Sequence, residues 1–185
     1  MTVARSLSGR WSSWPSLAGA ALAVGIAVDT SNGRELAAVL AAAGLVYLGS
    51  AVLQRPKAAW PLFGFTFVVI AATRIGAISF DATWVFLAIA VTLIVYGMVP
   101  SRRSRISGLS LQVSAMLACG AAAAIALFLD QTSGAYVVAG GLLAHAAWDV
   151  YYFWRGTVVV RTMAEFCGVL DALLALVIFV AAARS

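Results

Sequence analysis

The chain has 185 residues, of which 63% are apolar and only 10% charged, with a net charge of +5. A soluble domain carries about 25% charged residues, so there is too little polar surface to wrap a water-soluble globule, and lipid is the expected solvent for the outer face. The positive balance does not mark a nucleic-acid binder, because the basic residues fall in short clusters between apolar spans and no basic stripe interleaves with aromatics.

A membrane-crossing helix needs about 20 mostly apolar residues. Along the chain, such segments are predicted near 14–29, 36–54, 60–79, 83–99, 108–129, 135–154 and 162–183. Arg5 and Arg10 ahead of the first one, with the apolar run Leu17–Val28, also fit a signal peptide. Gly25-Ile26-Ala27 is a weak cleavage site, and a retained helix is the expectation. Turn formers and helix caps separate the segments: Asp29-Thr30-Ser31-Asn32-Gly33, Gln54-Arg55-Pro56-Lys57, Ser79-Phe80-Asp81, Pro100-Ser101-Arg102-Arg103, Asp130-Gln131-Thr132-Ser133-Gly134 and Arg155-Gly156-Thr157. Trp11, Trp14, Trp60, Trp84 and Trp154 lie near span ends, as an aromatic belt would. The expected fold is an all-α integral membrane protein, a seven-transmembrane-helix bundle forming a single membrane domain over 1–185.

Basic residues predict its orientation. Arg5, Arg10, Arg55, Lys57, Arg102, Arg103, Arg105, Arg155 and Arg161 fall on one side of a seven-span layout, leaving Arg34, Arg74 and Arg184 on or near the other. The positive-inside tendency puts the N-terminus in the cytoplasm and the C-terminus outside, in the cytoplasmic (inner) membrane.

Sliding the chain so that Asp29 falls on Asp130 aligns two halves without gaps. Gly19-Ala20-Ala21 then falls on Gly120-Ala121-Ala122, Tyr47 on Trp148, Phe65 on Phe166 and Val68 on Val169. Alanine-rich helices match cheaply, so the loop and the aromatics carry the signal. The implied layout is a parallel pseudo-repeat of three helices (14–79), a linker helix (83–99) and three more (108–183). In layout alone it resembles the sugar-efflux and PQ-loop transporters, also three-plus-one-plus-three. Their Pro-Gln dipeptide is absent, since the prolines here precede Ser, Lys, Leu and Ser, and no family residue carries over.

Asp29, Glu35, Asp81 and Asp130 lie in or beside the outer loops and read as caps and solvated turns. Asp149, Glu165 and Asp171 sit on the last two spans, and ionisable groups at membrane depth mark function by default. His145, the sole histidine, is one helical turn before Asp149 and shares a face with it and Tyr152, with Trp148 beside them. Arg161 and Glu165 open the last span. Asp171 is about nine residues in, near mid-membrane at about 1.5 Å per residue. The facing helix ends are expected to gather His145, Trp148, Asp149, Tyr152, Arg155, Arg161, Glu165 and Asp171, against a nearly bare first half. The structural alternative is a set of interfacial ion pairs fixing the hairpin. Arg74, in the outer third of the third span, needs a partner: Asp171 is within side-chain reach, with Asp81 or Asp130 as outer alternatives.

Three functions fit. The first is a proton-linked transporter or channel for a small solute, with His145 and the carboxylates exchanging protons and Trp148, Tyr151 and Tyr152 lining a pocket. The second is a membrane-embedded enzyme acting on a lipid or isoprenoid, with His145 or Glu165 as acid or base and Arg155 and Arg161 on an anionic head group. The third is a scaffold subunit or a chain that pairs with its own copies. No catalytic motif or cofactor is named by the sequence. Paired-histidine haem ligation is excluded, Lys57 sits in a loop rather than at a retinal site, and one histidine is a poor start for zinc. Cys119 and Cys167 lie in apolar segments and read as membrane-core side chains.

Overall fold

The structure, a computed structural model, describes residues 13–29, 33–77, 79–99 and 108–184. Part of the orientation argument, Arg5, Arg10, Arg102, Arg103 and Arg105, lies outside the described residues, as do Trp11, Thr30-Ser31-Asn32 and Pro100-Ser101.

Within the described residues the chain is all-α, and its seven α-helices match the seven apolar segments. They are α1 (Ser13–Asp29), α2 (Ala37–Val52), α3 (Ala59–Arg74), α4 (Ala82–Met98), α5 (Leu109–Phe128), α6 (Gln131–Arg155) and α7 (Arg161–Ala182). Short 3-10 turns, Gly33–Leu36 and Pro56–Ala58, lead into α2 and α3. Alanine and leucine, strong helix formers, dominate the interiors, and the expected breakers flank them, although α3 stops at Arg74, short of the expected end at 79, and α6 begins at Gln131, inside the expected turn. Asp81 caps α4 by accepting from Thr83 N at 2.8 Å. Asp130 caps α6 by accepting from Ser133 N at 3.0 Å and Thr132 N at 3.1 Å. Gly156 ends α6 at φ +62, where a Cβ would be strained, and its N–H returns to Tyr152 O at 2.7 Å.

Among the described residues, four helical stretches are long and apolar enough to cross a membrane: Gly33–Val52, Pro56–Arg74, Leu109–Phe128 and Arg161–Ala182. Trp14–Val28 and Ala82–Met98 are apolar but shorter. The longest helix, α6, has 25 residues and gives up apolar character to His145, Asp149 and Arg155.

α2 is the central post. It packs against α3, α4, α5 and α6, and nearly all of its side chains are buried. α7 packs on α6 and on α1. Gly19 permits the second contact, since a Cβ there would sit 2.5 Å from Phe166 O. The outer faces are apolar: Leu17 and Val24, Phe65 and Val68, Val91 and Val95, Leu117 and Ile125, Leu143, and Leu176 and Phe179 are all exposed. Apolar exposure on every side is the surface expected of a chain solvated by lipid.

The two ends of the bundle are distinct. One gathers the α2–α3 link, the start of α5 and the α6–α7 link around a shared cavity. At the other, Arg34 Nη1 donates to Leu129 O at 2.9 Å, and Arg74 at the end of α3 lies 3.8 Å from Glu35.

Candidate functional site

The core of α6 and α7 carries three ionisable side chains that meet. His145 and Asp149, one turn apart on α6, point to the buried face, and Asp171 of α7 comes in opposite them. His145 Nδ1 is 2.9 Å from Asp171 Oδ2 and 3.3 Å from Asp149 Oδ2. All three are 3% exposed or less, so water does not share in their charge balance. Two carboxylates facing Nδ1 place a proton on that nitrogen, and a single proton satisfies only one of them well. The shorter, aligned bond goes to Asp171, and Asp149 Oδ2 is left without a hydrogen-bond donor among the described residues.

The other oxygen of Asp149 is met from the first half of the chain. Tyr47, buried in α2, donates its hydroxyl to Asp149 Oδ1 at 2.6 Å. Its ring stands edge-on to His145, centroids 5.2 Å apart, and lies 5.4 Å from the ring of Tyr152. Tyr152 Oη in turn accepts from Gln112 Nε2 of α5. Asp171, His145, Asp149 and Tyr47 thus form one buried polar chain, hydrogen-bonded at its two ends and joined in the middle by the 3.3 Å His145–Asp149 contact, with Tyr152 and Gln112 packed at its end.

Of the residues expected to gather, the structure brings His145, Asp149 and Asp171 together, with Tyr152 one ring away across Tyr47; sequence reasoning missed Tyr47 and Gln112 and described the first half as nearly bare. A signal was present: each is a hydrogen-bonding side chain inside an otherwise apolar helix, where a polar group needs a partner. Trp148 is half-buried, its ring 5.4 Å from that of Tyr152, and its Nε1 has no hydrogen-bond partner among the described residues.

The remaining candidates go elsewhere. Glu165 is buried against α1, where Ser16 Oγ donates to it at 2.7 Å. Arg161 is exposed and lies over the α6 terminus, its Nε 3.2 Å from where a Gly156 Cβ would be. Arg155 is exposed and donates Nε–H to Tyr151 Oη at 2.9 Å. Arg74 does not pair with Asp171 as expected, nor with Asp81 or Asp130, but lies beside Glu35. Both are partly exposed, and an ion pair at a wet helix end avoids the desolvation that drawing a guanidinium inward would require.

The three side chains offer ligand atoms within 4.8 Å of one another, a spacing that can also surround a cation. The Nδ1–H bond to Asp171 and the Tyr47 bond to Asp149 already account for the arrangement without one. Asp171 also lines a small apolar crevice, about 50 Å³, between α1, α2 and α3, beside Leu22, Phe63 and Thr66. No protein-family model, curated protein or solved structure matches the chain.

Proposed function

We propose that all seven helices cross the inner membrane, N-terminus cytoplasmic and C-terminus outside, and that the chain is a small proton-linked transporter or channel for a small solute. One observation carries this reading: the polar chain Asp171–His145–Asp149–Tyr47, hydrogen-bonded at its two ends and in charge contact at its middle, buried among apolar helices. With a neutral imidazole and both carboxylates ionised, the trio bears two negative charges. A proton on the imidazole leaves one, and a second on a carboxyl leaves none. In a low-dielectric interior those states differ steeply in cost, so proton occupancy can be tied to helix position. The chain also lies between two voids, the crevice at Asp171 and the end cavity lined by Tyr152.

The orientation draws on the described cations. Arg55, Lys57, Arg155 and Arg161 sit at the links of one end, and Arg34, Arg74 and Arg184 at the other. The parallel three-plus-one-plus-three layout is part of the proposal. Tyr47 and Trp148, which the repeat superimposes in sequence, both pack on Tyr152.

The test is a solute screen on proteoliposomes under an imposed pH gradient, read as transported charge. A solute-evoked proton current in the wild type that disappears in Asp171→Asn is expected. A current of equal size in the variant sinks the coupling. Cysteines placed at Lys57 and Arg184 should be labelled from opposite sides of the membrane, and labelling from the same side removes the seven-span topology.

A second reading draws on a groove of about 340 Å³ that adjoins the crevice and runs along α1, α2 and α3 to Arg74. Such a groove suits a lipid or isoprenoid chain, and with His145 as acid or base the chain would be a membrane-embedded enzyme. A stoichiometric lipid retained through purification would favour it.

A further inference from the structure

The cavity at the cation-rich end, about 520 Å³, is lined by Ser50, Gln54, Tyr151, Tyr152, Arg155 and Thr157, among others. That volume is in the range of small-molecule sites, about 300–1,000 Å³. Among its described lining residues none is acidic, and Arg155 is the one that is charged.

The direction of the hydrogen bonds defines what the cavity presents. Tyr151 Oη accepts from Arg155 Nε–H, and Tyr152 Oη accepts from Gln112 Nε2–H. Neither nitrogen can accept in return, so each hydroxyl proton is free to be donated elsewhere. The Arg155 guanidinium lies 5.3 Å from the centroid of the Tyr151 ring, which steadies it. Its Nη groups have no hydrogen-bond partner among the described residues. Ser50, 1% exposed, lines the same cavity and its Oγ makes no hydrogen bond among the described residues. A buried hydroxyl without a partner is costly unless a ligand or water meets it. The cavity therefore offers a guanidinium fork and several O–H donors, with no opposing carboxylate among its described lining residues.

We infer that this cavity binds a small anion bearing a carboxylate or phosphate group, held by Arg155 with the hydroxyls of Ser50, Tyr151 and Tyr152. A planar fork with adjacent O–H donors is the arrangement that recognises such oxyanions. That the anion is the solute carried is a further step and rests on the transport reading above. Tyr152 supplies the link, because it lines the cavity while its ring packs on Tyr47, the end of the buried polar chain.

The experiment uses the full chain in nanodiscs, titrated with sodium lactate, inorganic phosphate and, as the cationic control, choline chloride, and read by calorimetry. Saturable binding of lactate or phosphate is expected, weakened about tenfold or more by Arg155→Gln and by Tyr152→Phe, and partly restored by Arg155→Lys. Because Arg155 is exposed, its replacement leaves the core intact. Anion binding unchanged in both variants, or binding of choline alone, overturns the site. Proteoliposome flux of the same anions separates the two proposals. Arg155-dependent binding without flux upholds the site and removes the transport reading. A proton current evoked by a cation or neutral solute, with no anion bound, upholds transport and removes the anion site.

Discussion

Tyr47 and Asp149, 102 positions apart, are joined by a 2.6 Å hydrogen bond between two buried side chains. It ties the central helix α2 to α6 and gives Asp149 its only aligned donor among the described residues. Removing the hydroxyl leaves a carboxylate oxygen buried and unmet. Tyr47→Phe is therefore expected to destabilise the protein by about 1–3 kcal/mol and to depress any solute-linked proton flux. Thermal unfolding in detergent measures the first effect, and an unshifted transition would show that the bond contributes nothing.

His145 stands between two carboxylates. His145→Ala leaves them facing each other with no donor between, and removing one partner of a buried polar cluster in this way costs about 3–5 kcal/mol. Pairing it with Asp171→Asn removes one of the stranded charges, so the double variant should be less destabilised than the two single losses summed. Strict additivity would mean that the 2.9 Å contact carries no coupling.

The trio's spacing makes a metal test decisive. If hydrogen bonding alone explains it, adding zinc or manganese should leave the thermal stability of the wild type and of Asp171→Asn equally unaffected. A bound ion at about 100 times its dissociation constant adds about 2.7 kcal/mol. Stabilisation of that order confined to the wild type would reassign the trio to cation binding.

Gly19 lets α1 lie directly on the backbone of α7. Gly19→Leu should force the helices apart, costing about 1–3 kcal/mol and disturbing the Ser16–Glu165 hydrogen bond on the same interface. Gly25→Leu is the control, because nothing lies within 4 Å of where its Cβ would be. Equal stability of the two variants would deny the close packing of α1.

Asp130 lies outside the helices, and the Ser133 backbone N–H, with the Ser133 hydroxyl and the Thr132 N–H, holds its carboxyl below the usual carboxylate range. A folded-state value below the unfolded one contributes stability that is present above the ordinary carboxylate range. That contribution is lost as pH falls through the lowered value. Asp130→Asn still caps the helix but does not titrate, so its stability should vary less with pH in the acid range than that of the wild type. Identical acid profiles would show that the cap carries no pH dependence.

Much of the fold was legible in order and spacing. All seven apolar segments became helices because their interiors are strong helix formers and because Asp81, Asp130 and Gly156 stand where a cap or a stop is needed. The cluster on α6 was legible for the same kind of reason, since one helical turn separates His145 from Asp149 whatever surrounds them. Tyr47 was harder to see, because a tyrosine in an apolar helix is unexceptional until a carboxylate is found beside it.

What the amino-acid order determined by itself, then, was local: helix content, helix limits, the apolar outer surface and the polar face of α6. Backbone hydrogen bonding and side-chain periodicity act over a few residues and need no knowledge of neighbours. The tertiary structure decided the partners. It put α2 at the centre, brought Tyr47 to Asp149 and Gln112 to Tyr152, and turned Glu165 to Ser16 and Arg74 to Glu35. Those outcomes depend on which helices touch, and among apolar surfaces of similar character contact is set by the fit of small residues such as Gly19 and by the need of each buried polar atom for a donor or acceptor.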